Sequence, residues 1–388
     1  MLWADVFSAL DSLPQAQIQS AYDQLSPEPY DAHTTVALSS GLLFARGLLE
    51  RPLDCVRRTH QKLENNLTSH VVCDQGLWEP WLITFNQSQE RESDSLEFDA
   101  DITGLMAGFS KRFSDDFSFS LGIGGATGGA DLTSTRGETE YTGALAGFAA
   151  AWDRGPWRFK TAAAYQHGWH DMERRIEFTI PDYLNDSDND SDGVTAIFET
   201  SYGMMSKNGW EIRPSVALDY AYLTEDSAEE TEEADGYILN LHVDERDNSV
   251  AAGSVGVRFS KSSSRYRYII SDVLSDGVWT SDFSVRARGV ITGYERDIKS
   301  SFEGAPGIPV KVTAEDSRVM GEIGAGLTFQ PRDSNSTLGI EYHVNMGDES
   351  TSQTIQGNVR VGMDQSFVVG KLEPLLFGKK YKYSFAKY

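Results

Sequence analysis

From about residue 77 onward, apolar and polar side chains alternate with a period of two residues. Between Trp210 and Tyr222 every second residue is apolar or aromatic, and the residues between them are small, polar or charged. The segments that begin at Trp157 and at Arg318 repeat this pattern. Successive side chains of an extended strand point to opposite faces, so the pattern predicts β-strands with one apolar and one polar face.

Twelve strands of this kind are predicted, and many of them run for about 12 to 16 residues, whereas an ordinary strand has about five or six. They cover approximately residues 77–86, 96–112, 116–130, 137–152, 156–172, 193–205, 209–224, 249–260, 281–294, 315–329, 336–346 and 352–363. A soluble β-sandwich would bury the apolar face equally well, but its strands would be shorter.

The connections between these strands alternate between short turns and longer loops. The longest loops are 173–192, 225–248 and 295–314, and only the 261–280 connection is long where a short turn is expected. Short turns at one rim and long loops at the other are typical of transmembrane β-barrels. The predicted fold class is therefore all-β, a twelve-stranded antiparallel transmembrane β-barrel.

The first 74 residues follow a helical pattern instead. Ser26-Pro27-Glu28 supplies an N-cap residue, a proline at the first helical position and an acid in the first turn. The apolar run 36–49 follows, and Arg51-Pro52 ends it. We therefore predict three parts of the chain, namely a helical lead-in over residues 1–74, the barrel over 75–363 and a C-terminal extension over 364–388.

Composition narrows the classes of function. The 34 Lys and Arg residues against 58 Asp and Glu residues give a formal net charge of −24, which argues against a nucleic-acid partner. No segment approaches the roughly 18 consecutive apolar residues that indicate a membrane-spanning helix. The seven His residues form no HExxH motif and accompany no G-x-S-x-G motif, so nothing in the sequence indicates an enzyme or a bound cofactor.

Several segments resemble the autotransporter β-domain of type V secretion. They are the helical segments 9–25 and 26–32, the repeated Gly-rich strand phrases 103–109 and 142–148, and the hairpin 337–363. The resemblance implies a twelve-stranded pore in the outer membrane of a Gram-negative bacterium. It also implies three partners, namely outer-membrane lipid, the barrel-assembly machinery and a passenger polypeptide that the pore exports.

The same resemblance, together with the loop lengths, implies an orientation. The long loops would be extracellular and the short turns periplasmic. Few residues precede the lead-in, so we expect the passenger to lie upstream of this chain. The alternative function is that of a stand-alone outer-membrane barrel whose long acidic loops bind a surface partner.

The C-terminus departs from the family pattern. The family usually ends on an aromatic residue that closes its last strand, whereas Met363 holds that position here and 25 residues follow it. Alternating aromatic residues leave open a closing strand at 374–385. However, 352–363 already has the required alternation, and a thirteenth strand would make the number odd. We therefore predict that residues 364–388 lie outside the barrel wall.

The polar face of the predicted strands should line the lumen of the barrel. The lumen-lining residues that we expect are Arg158, Lys160, Glu211, Arg213, Asp219, Arg318 and Glu322.

Asp188, Asp190 and Asp192 have the spacing of an EF-hand loop, with Glu199 in the place of its last ligand. However, the residues after Asp192 alternate as a strand, which would hold Glu199 roughly 20 Å away from the loop. We therefore expect an acidic, solvated loop, with a loose Ca²⁺ or Mg²⁺ site on the three aspartates as the alternative. The acidic run 225–235 is likewise expected to be solvated.

Cys55 and Cys73 admit two interpretations. A straight helix between them would hold their ends about 27 Å apart, whereas a disulfide requires Cα atoms within about 7 Å of each other. A secreted context favours the disulfide and hence a bend. If the straight helix forms instead, its basic residues would suit a polar lumen. Asn65-Asn66 is a weaker candidate for self-cleavage, since some members of the resembled family cut themselves at an Asn pair.

Overall fold

The computed structural model describes residues 3–50, 78–92, 97–132, 137–178, 183–232, 237–263, 277–331 and 336–362. Three helices precede the strands, namely α1 (Trp3–Ser12), α2 (Gln15–Leu25) and α3 (Tyr30–Glu50). None of the described helices is both long enough and apolar enough to cross a membrane.

The described part of the chain contains eighteen strands and a short 3₁₀-helix, η1 (Tyr237–Leu239). The strands are β1 (Trp78–Glu92), β2 (Glu97–Arg112), β3 (Phe117–Leu132), β4 (Gly137–Arg154), β5 (Trp157–Ile176), β6 (Tyr183–Tyr202), β7 (Met204–Met205), β8 (Glu211–Glu225), β9 (Ala228–Glu229), β10 (Thr231–Glu232), β11 (Leu241–Val243), β12 (Arg246–Ser263), β13 (Gly277–Thr292), β14 (Glu295–Phe302), β15 (Pro309–Glu315), β16 (Val319–Pro331), β17 (Thr337–Gly347) and β18 (Ser350–Arg360).

Twelve long strands form one closed antiparallel barrel. They are β1 to β6, β8, β12, β13, β16, β17 and β18, and each pairs with its neighbours along the chain. The ring closes where β18 pairs with β1, in a register that runs from Trp81 opposite Arg360 to Arg91 opposite Ser350. A closed ring leaves no unpaired backbone edge in lipid. The predicted twelve-stranded barrel with a helical lead-in is thereby confirmed.

Several strands extend further toward the long loops than predicted. β5 and β6 each have 20 residues, whereas about 9 to 11 residues suffice to cross a bilayer. The predicted loop 173–192 is therefore wrong over most of its length, because β5 continues to Ile176 and β6 begins at Tyr183. Around Asp188 both faces of the strand are polar, so no apolar alternation marked it.

The other long loops form a second sheet above the same rim. β9, β11, β14 and β15 pair into four antiparallel strands, which we call the cap sheet. Leu241, Val243 and Ile298 of this sheet join the hydrophobic core. At Gly293, which has a positive φ, the chain leaves β13 for the cap sheet, and a Cβ atom there would lie 1.8 Å from the carbonyl oxygen of Ser249.

The two faces of the barrel strands differ as the alternation requires. In β8 the side chain of Leu218 points outward and is 55% exposed, whereas Ala217 points inward and is 4% exposed. Exposed aromatic side chains lie near the short-turn rim, as in the aromatic girdles of membrane barrels. They include Trp78, Phe113, Phe117, Trp152 and Trp157.

Leu218→Arg should impair assembly, because an arginine on the lipid face near the membrane midplane costs about 2–4 kcal/mol. We expect less heat-modifiable protein in the outer membrane, measured by gel migration with and without boiling. Ala217→Arg places the same charge on the lumen side and should leave insertion largely intact. Equal behaviour of the two variants would contradict this assignment of faces.

Deletion of residues 364–388 should leave a heat-modifiable barrel in the outer membrane, because β18 already closes the ring against β1. The measurement is the yield of membrane-inserted protein relative to the full chain. A matched deletion of β18 (350–360) should abolish insertion. Degradation of the 364–388 deletion variant would mean that the tail supplies the closing strand.

Candidate functional site

The helix α3 lies in the lumen of the barrel. Of its 21 residues, 16 are buried. It begins near the long loops, where the hydroxyl of Tyr30 lies 2.7 Å from that of Ser187. Toward its other end, Leu48 packs beside Trp81, which lies near the short-turn end of β1. The helix therefore runs through the lumen from the long-loop rim toward the short-turn rim.

Glycines on the barrel wall make room for the apolar side of α3. A Cβ atom at Gly124 would lie 2.9 Å from the ring of Phe44, and one at Gly147 would lie 2.8 Å from Leu48. Phe44 and Leu48 are fully buried, and burial of each such side chain is worth about 1.5–3 kcal/mol. Gly147 belongs to the Gly-rich phrase 142–148 seen in the sequence, so that phrase provides part of the surface against which the helix packs.

Asp31, in the first turn of α3, is held by two arginines, one from the barrel and one from the cap sheet. Its carboxylate lies 2.6 and 2.8 Å from the guanidinium of Arg296 on β14 and 2.5 Å from that of Arg91 on β1. All three side chains are buried. Charge-assisted hydrogen bonds of this kind are strong and directional, so they determine where the N-terminal end of α3 lies at the long-loop rim.

Glu225 forms a second attachment for the same turn of the helix. It accepts hydrogen bonds from Thr34 at 2.6 Å, from Arg246 at 2.8 and 2.9 Å and from Asn248 at 2.9 Å. Arg246 also donates to the carbonyl oxygen of Tyr30 at 2.8 Å. The carboxylate is thereby fully surrounded by donors, as a buried charge requires.

Glu230 forms a third attachment, which reaches α2. Arg174 binds it through two nitrogens at 2.7 and 2.5 Å and also donates to the carbonyl oxygen of Gln24 at 2.6 Å. Glu225 and Glu230 are both buried, so the prediction of a solvated acidic run over 225–235 is wrong for these two acids. Their arginine partners lie on other strands, 21 and 56 residues away, which is why the run alone did not show this.

Farther along α3, Arg46 bridges two inward-facing acids of the barrel. Its guanidinium lies 3.4 Å from Asp219 on β8 and 3.3 Å from Glu322 on β16. Arg288 lies 3.3 Å from the same oxygen of Asp219. Two of the seven residues expected to line the lumen thus bind the helix directly.

Four more of those seven residues surround a cavity of about 160 Å³ toward the short-turn rim. Arg158 is buried and binds Asp153 at 2.6 Å, and Lys160 lies 3.9 Å from Glu199. Glu211 and Arg213 form an ion pair with each other. Glu322 also borders this cavity.

Arg318 is placed differently from the expectation. It lies just before β16 rather than within it, and its side chain is 54% exposed at the long-loop rim. Its guanidinium stacks over the ring of Tyr294 at 3.9 Å and lies 3.4 Å from Glu295. The predicted strand 315–329 began four residues too early, and this error placed Arg318 in the lumen.

Asp188, Asp190 and Asp192 lie on the outer face of β6 rather than in a loop. This corrects both the expected loop at these positions and the alternative of a cation site within it. Alternate residues of a strand are about 6.6 Å apart, which spreads the three carboxylates too widely for one ion. Glu199 lies on the inner face of the same strand. The carboxylate of Asp192 accepts hydrogen bonds from Tyr165 and His167 instead.

The cysteine pair and the Asn pair lie outside the described residues. Sequence reasoning missed Asp31, Arg91, Arg174 and Arg296, whose importance depends on partners from distant strands or helices. The alternation of β1 could have identified Arg91, because this residue falls on the inward face of the strand. No feature of the sequence distinguishes Asp31, since acids near the N-terminus of a helix are common.

The first two helices lie at the long-loop rim. The indole of Trp3 donates to the carbonyl oxygen of Gly304 at 3.0 Å, and Val6 packs with Ile176 and Leu239. Between α2 and α3, burial raises the pKa of the Glu28 carboxyl to about 7, and the nearby charge of Asp23 contributes to this shift. Near neutral pH this carboxyl is therefore protonated in a large fraction of molecules.

A closed twelve-stranded barrel with an apolar outer band and a helix in a charged lumen defines an outer-membrane β-barrel protein. The sequence profile described as Autotransporter beta-domain matches residues 81–343. The chain therefore belongs to the autotransporter β-domain family, a family of outer-membrane export barrels rather than of enzymes. Among proteins of curated function, none matches its sequence significantly.

Several solved structures are similar to this chain, and the first described here has the same fold. The translocator domain of autotransporter NalP from Neisseria meningitidis is 12% identical, with a TM-score of 0.59 over 87% of this chain and 99% of that domain. The beta domain of the Bordetella autotransporter BrkA is 16% identical, with a TM-score of 0.49 over 74% of this chain and 99% of that one. The transport unit of the autotransporter AIDA-I from Escherichia coli is 11% identical, with a TM-score of 0.47 over 85% of this chain and 98% of that one.

Asp31→Asn should loosen α3 in the lumen. Loss of one member of a buried ionic cluster costs about 3–5 kcal/mol, and we expect the lower end because Asp316 remains 3.4 Å from Arg296. Planar-bilayer recordings should show more frequent channel openings than in the unmodified protein. Asp11→Asn, on the exposed side of α1, serves as the control. Identical conductance of all three proteins would contradict the anchoring role of Asp31.

Proposed function

We propose that this chain exports a passenger polypeptide that is attached ahead of α1, and that α3 stays in the pore when export is complete. The direction of α3 carries this proposal. Because the helix enters the lumen at the long-loop rim, any polypeptide attached ahead of α1 lies on that side of the membrane. Residues 1–74 would then be the lead-in above and within the pore, and 75–363 the barrel.

In this proposal the long loops and the cap sheet are extracellular, and the short turns are periplasmic. The lumen-facing charges would give a polypeptide a polar path during export. Afterwards, the pairs of Asp31, Glu225 and Glu230 with arginines would hold α3 as a seal. Outer-membrane lipid and the barrel-assembly machinery are the partners that insertion would require.

The alternative of a stand-alone barrel with acidic binding loops has less support. Glu225 and Glu230, from the most acidic of these loops, are buried in ion pairs and unavailable to a partner. The loops also fold onto α1 rather than project freely, as the contact of Trp3 with Phe302 illustrates.

The orientation is tested by cysteine labelling in intact cells, in a background with Cys55→Ser and Cys73→Ser. Glu229→Cys, at a cap-sheet side chain that is 80% exposed, should react with a membrane-impermeant maleimide. Asn208→Cys, in a short turn, should react only after the outer membrane is permeabilised. The opposite labelling pattern would contradict the proposed orientation.

Export itself is tested with a small unfolded reporter peptide fused ahead of Met1. We expect protease added to intact cells to remove this reporter, because it should emerge at the cell surface. The same reporter inserted after Asn208 should be protected. If the N-terminal reporter is protected while Glu229→Cys still labels, the orientation stands and the export proposal fails.

A further inference from the structure

Three metal-ligating side chains converge where α3 meets the barrel near the short-turn rim. Glu50 is the last residue of the helix, and Glu341 and His343 lie on β17. One ligand atom from each lies within 4.8 Å of the other two. Within the described ranges of the chain, this is the one group of three or more such residues that comes together so closely.

The local structure explains why these residues meet. Glu341 and His343 are two positions apart on a strand, so both point into the lumen. Glu50 lies at the C-terminal end of α3, where the helix dipole places partial negative charge and favours a cation. All three residues border the cavity of about 160 Å³ described above, which gives an ion space and a route of entry.

The imidazole of His343 is already oriented as a metal ligand would be. Its Nε2 faces Glu341, with 3.8 Å between Nε2 and Oε2. Its Nδ1 lies 3.4 Å from Oε1 of Glu322, which is itself held by Arg46. Metal-binding histidines almost always donate their second N–H to a carboxylate, a backbone carbonyl or a water, which orients the ring and raises its basicity.

Arginines lie beside two of the carboxylates at this point. Arg258 lies 3.4 Å from Glu341, and Arg286 lies 3.2 Å from the neighbouring Glu199. An incoming cation would therefore compete with Arg258 for Glu341. This competition should weaken binding without abolishing it, since Glu50 and His343 approach from other directions.

We propose that Glu50, Glu341 and His343 bind a divalent first-row transition metal, with Zn²⁺ as the representative ion, and that the metal pins the end of α3 to β17. One imidazole with carboxylates is a ligand set for such ions, whereas Mg²⁺ and Ca²⁺ prefer oxygen ligands alone. At metal–ligand distances of about 2.1 Å, tetrahedral ligand atoms are about 3.4 Å apart. Because the three ligand atoms lie within 4.8 Å of one another, they must close by at most about 1.4 Å, which small side-chain rotations provide.

The test measures Zn²⁺ binding to the purified full chain by equilibrium dialysis, in the Cys55→Ser/Cys73→Ser background so that thiols do not contribute. We expect one Zn²⁺ per chain. Glu50→Gln, Glu341→Gln and His343→Ala should each weaken binding by at least about tenfold. His167→Ala, which removes an outward-facing histidine, should not change it, and Arg258→Gln should strengthen it.

Heat-modifiable migration identifies variants that fold, and His343→Gln replaces His343→Ala if the latter does not. Absence of bound Zn²⁺ in the parent protein, or the same affinity in the three ligand variants, would overturn the proposal. Bilayer recordings then test the pinning, with fewer openings expected in Zn²⁺ for the parent and no effect for Glu50→Gln. Equal effects on both would refute the pinning role. These measurements need no passenger, so they are independent of the export proposal.

Discussion

The pairing of β18 with β1 is the interaction on which the rest of the structure depends. In lipid every backbone N–H and C=O group must find a partner within the protein, and only closure of the sheet satisfies both edges. Closure over twelve strands in turn creates a lumen wide enough for one helix. A lumen of this size is either filled by water or filled by protein, and here α3 occupies most of it.

The wall and the helix are matched in two ways. Glycines on β3 and β4 let Phe44 and Leu48 approach the backbone closely, so apolar burial holds one side of the helix. Charged groups hold the other side, where Asp31, Thr34 and Arg46 of the helix bind partners from the wall and the cap sheet. Since an unpaired buried charge is costly, these pairs determine the rotation and depth of the helix more strictly than apolar packing alone.

The acidic composition is distributed according to the same constraint. Inward-facing acids such as Asp219, Glu225 and Glu322 have arginine partners. Outward-facing acids such as Asp188 and Asp190 lie on the parts of β6 that extend beyond the span needed to cross a bilayer. The net charge of −24 is therefore compatible with membrane residence, because few charges face lipid.

The fold was largely predictable because alternation with a period of two is a local property, and it is strong wherever one face meets lipid. The prediction of strands failed around Asp188, because the outer side of the strand faces water there and the alternation of apolar residues disappears. β14 lacks the alternation as well, and β15 alternates over only seven residues, so the cap sheet was not predicted. Six of the seven residues expected to line the lumen lie on the inward face, and their parity needs only the register of one strand.

What the sequence by itself determined, then, was the number of strands, their faces and the presence of helices ahead of them. The tertiary structure alone decided that α3 lies inside the barrel and that Asp31 meets Arg91 and Arg296. It alone decided that Glu50 meets Glu341 and His343. These contacts join residues tens to hundreds of positions apart. Their geometry depends on closure of the ring and on the depth of the helix, and neither leaves a periodic trace in the chain.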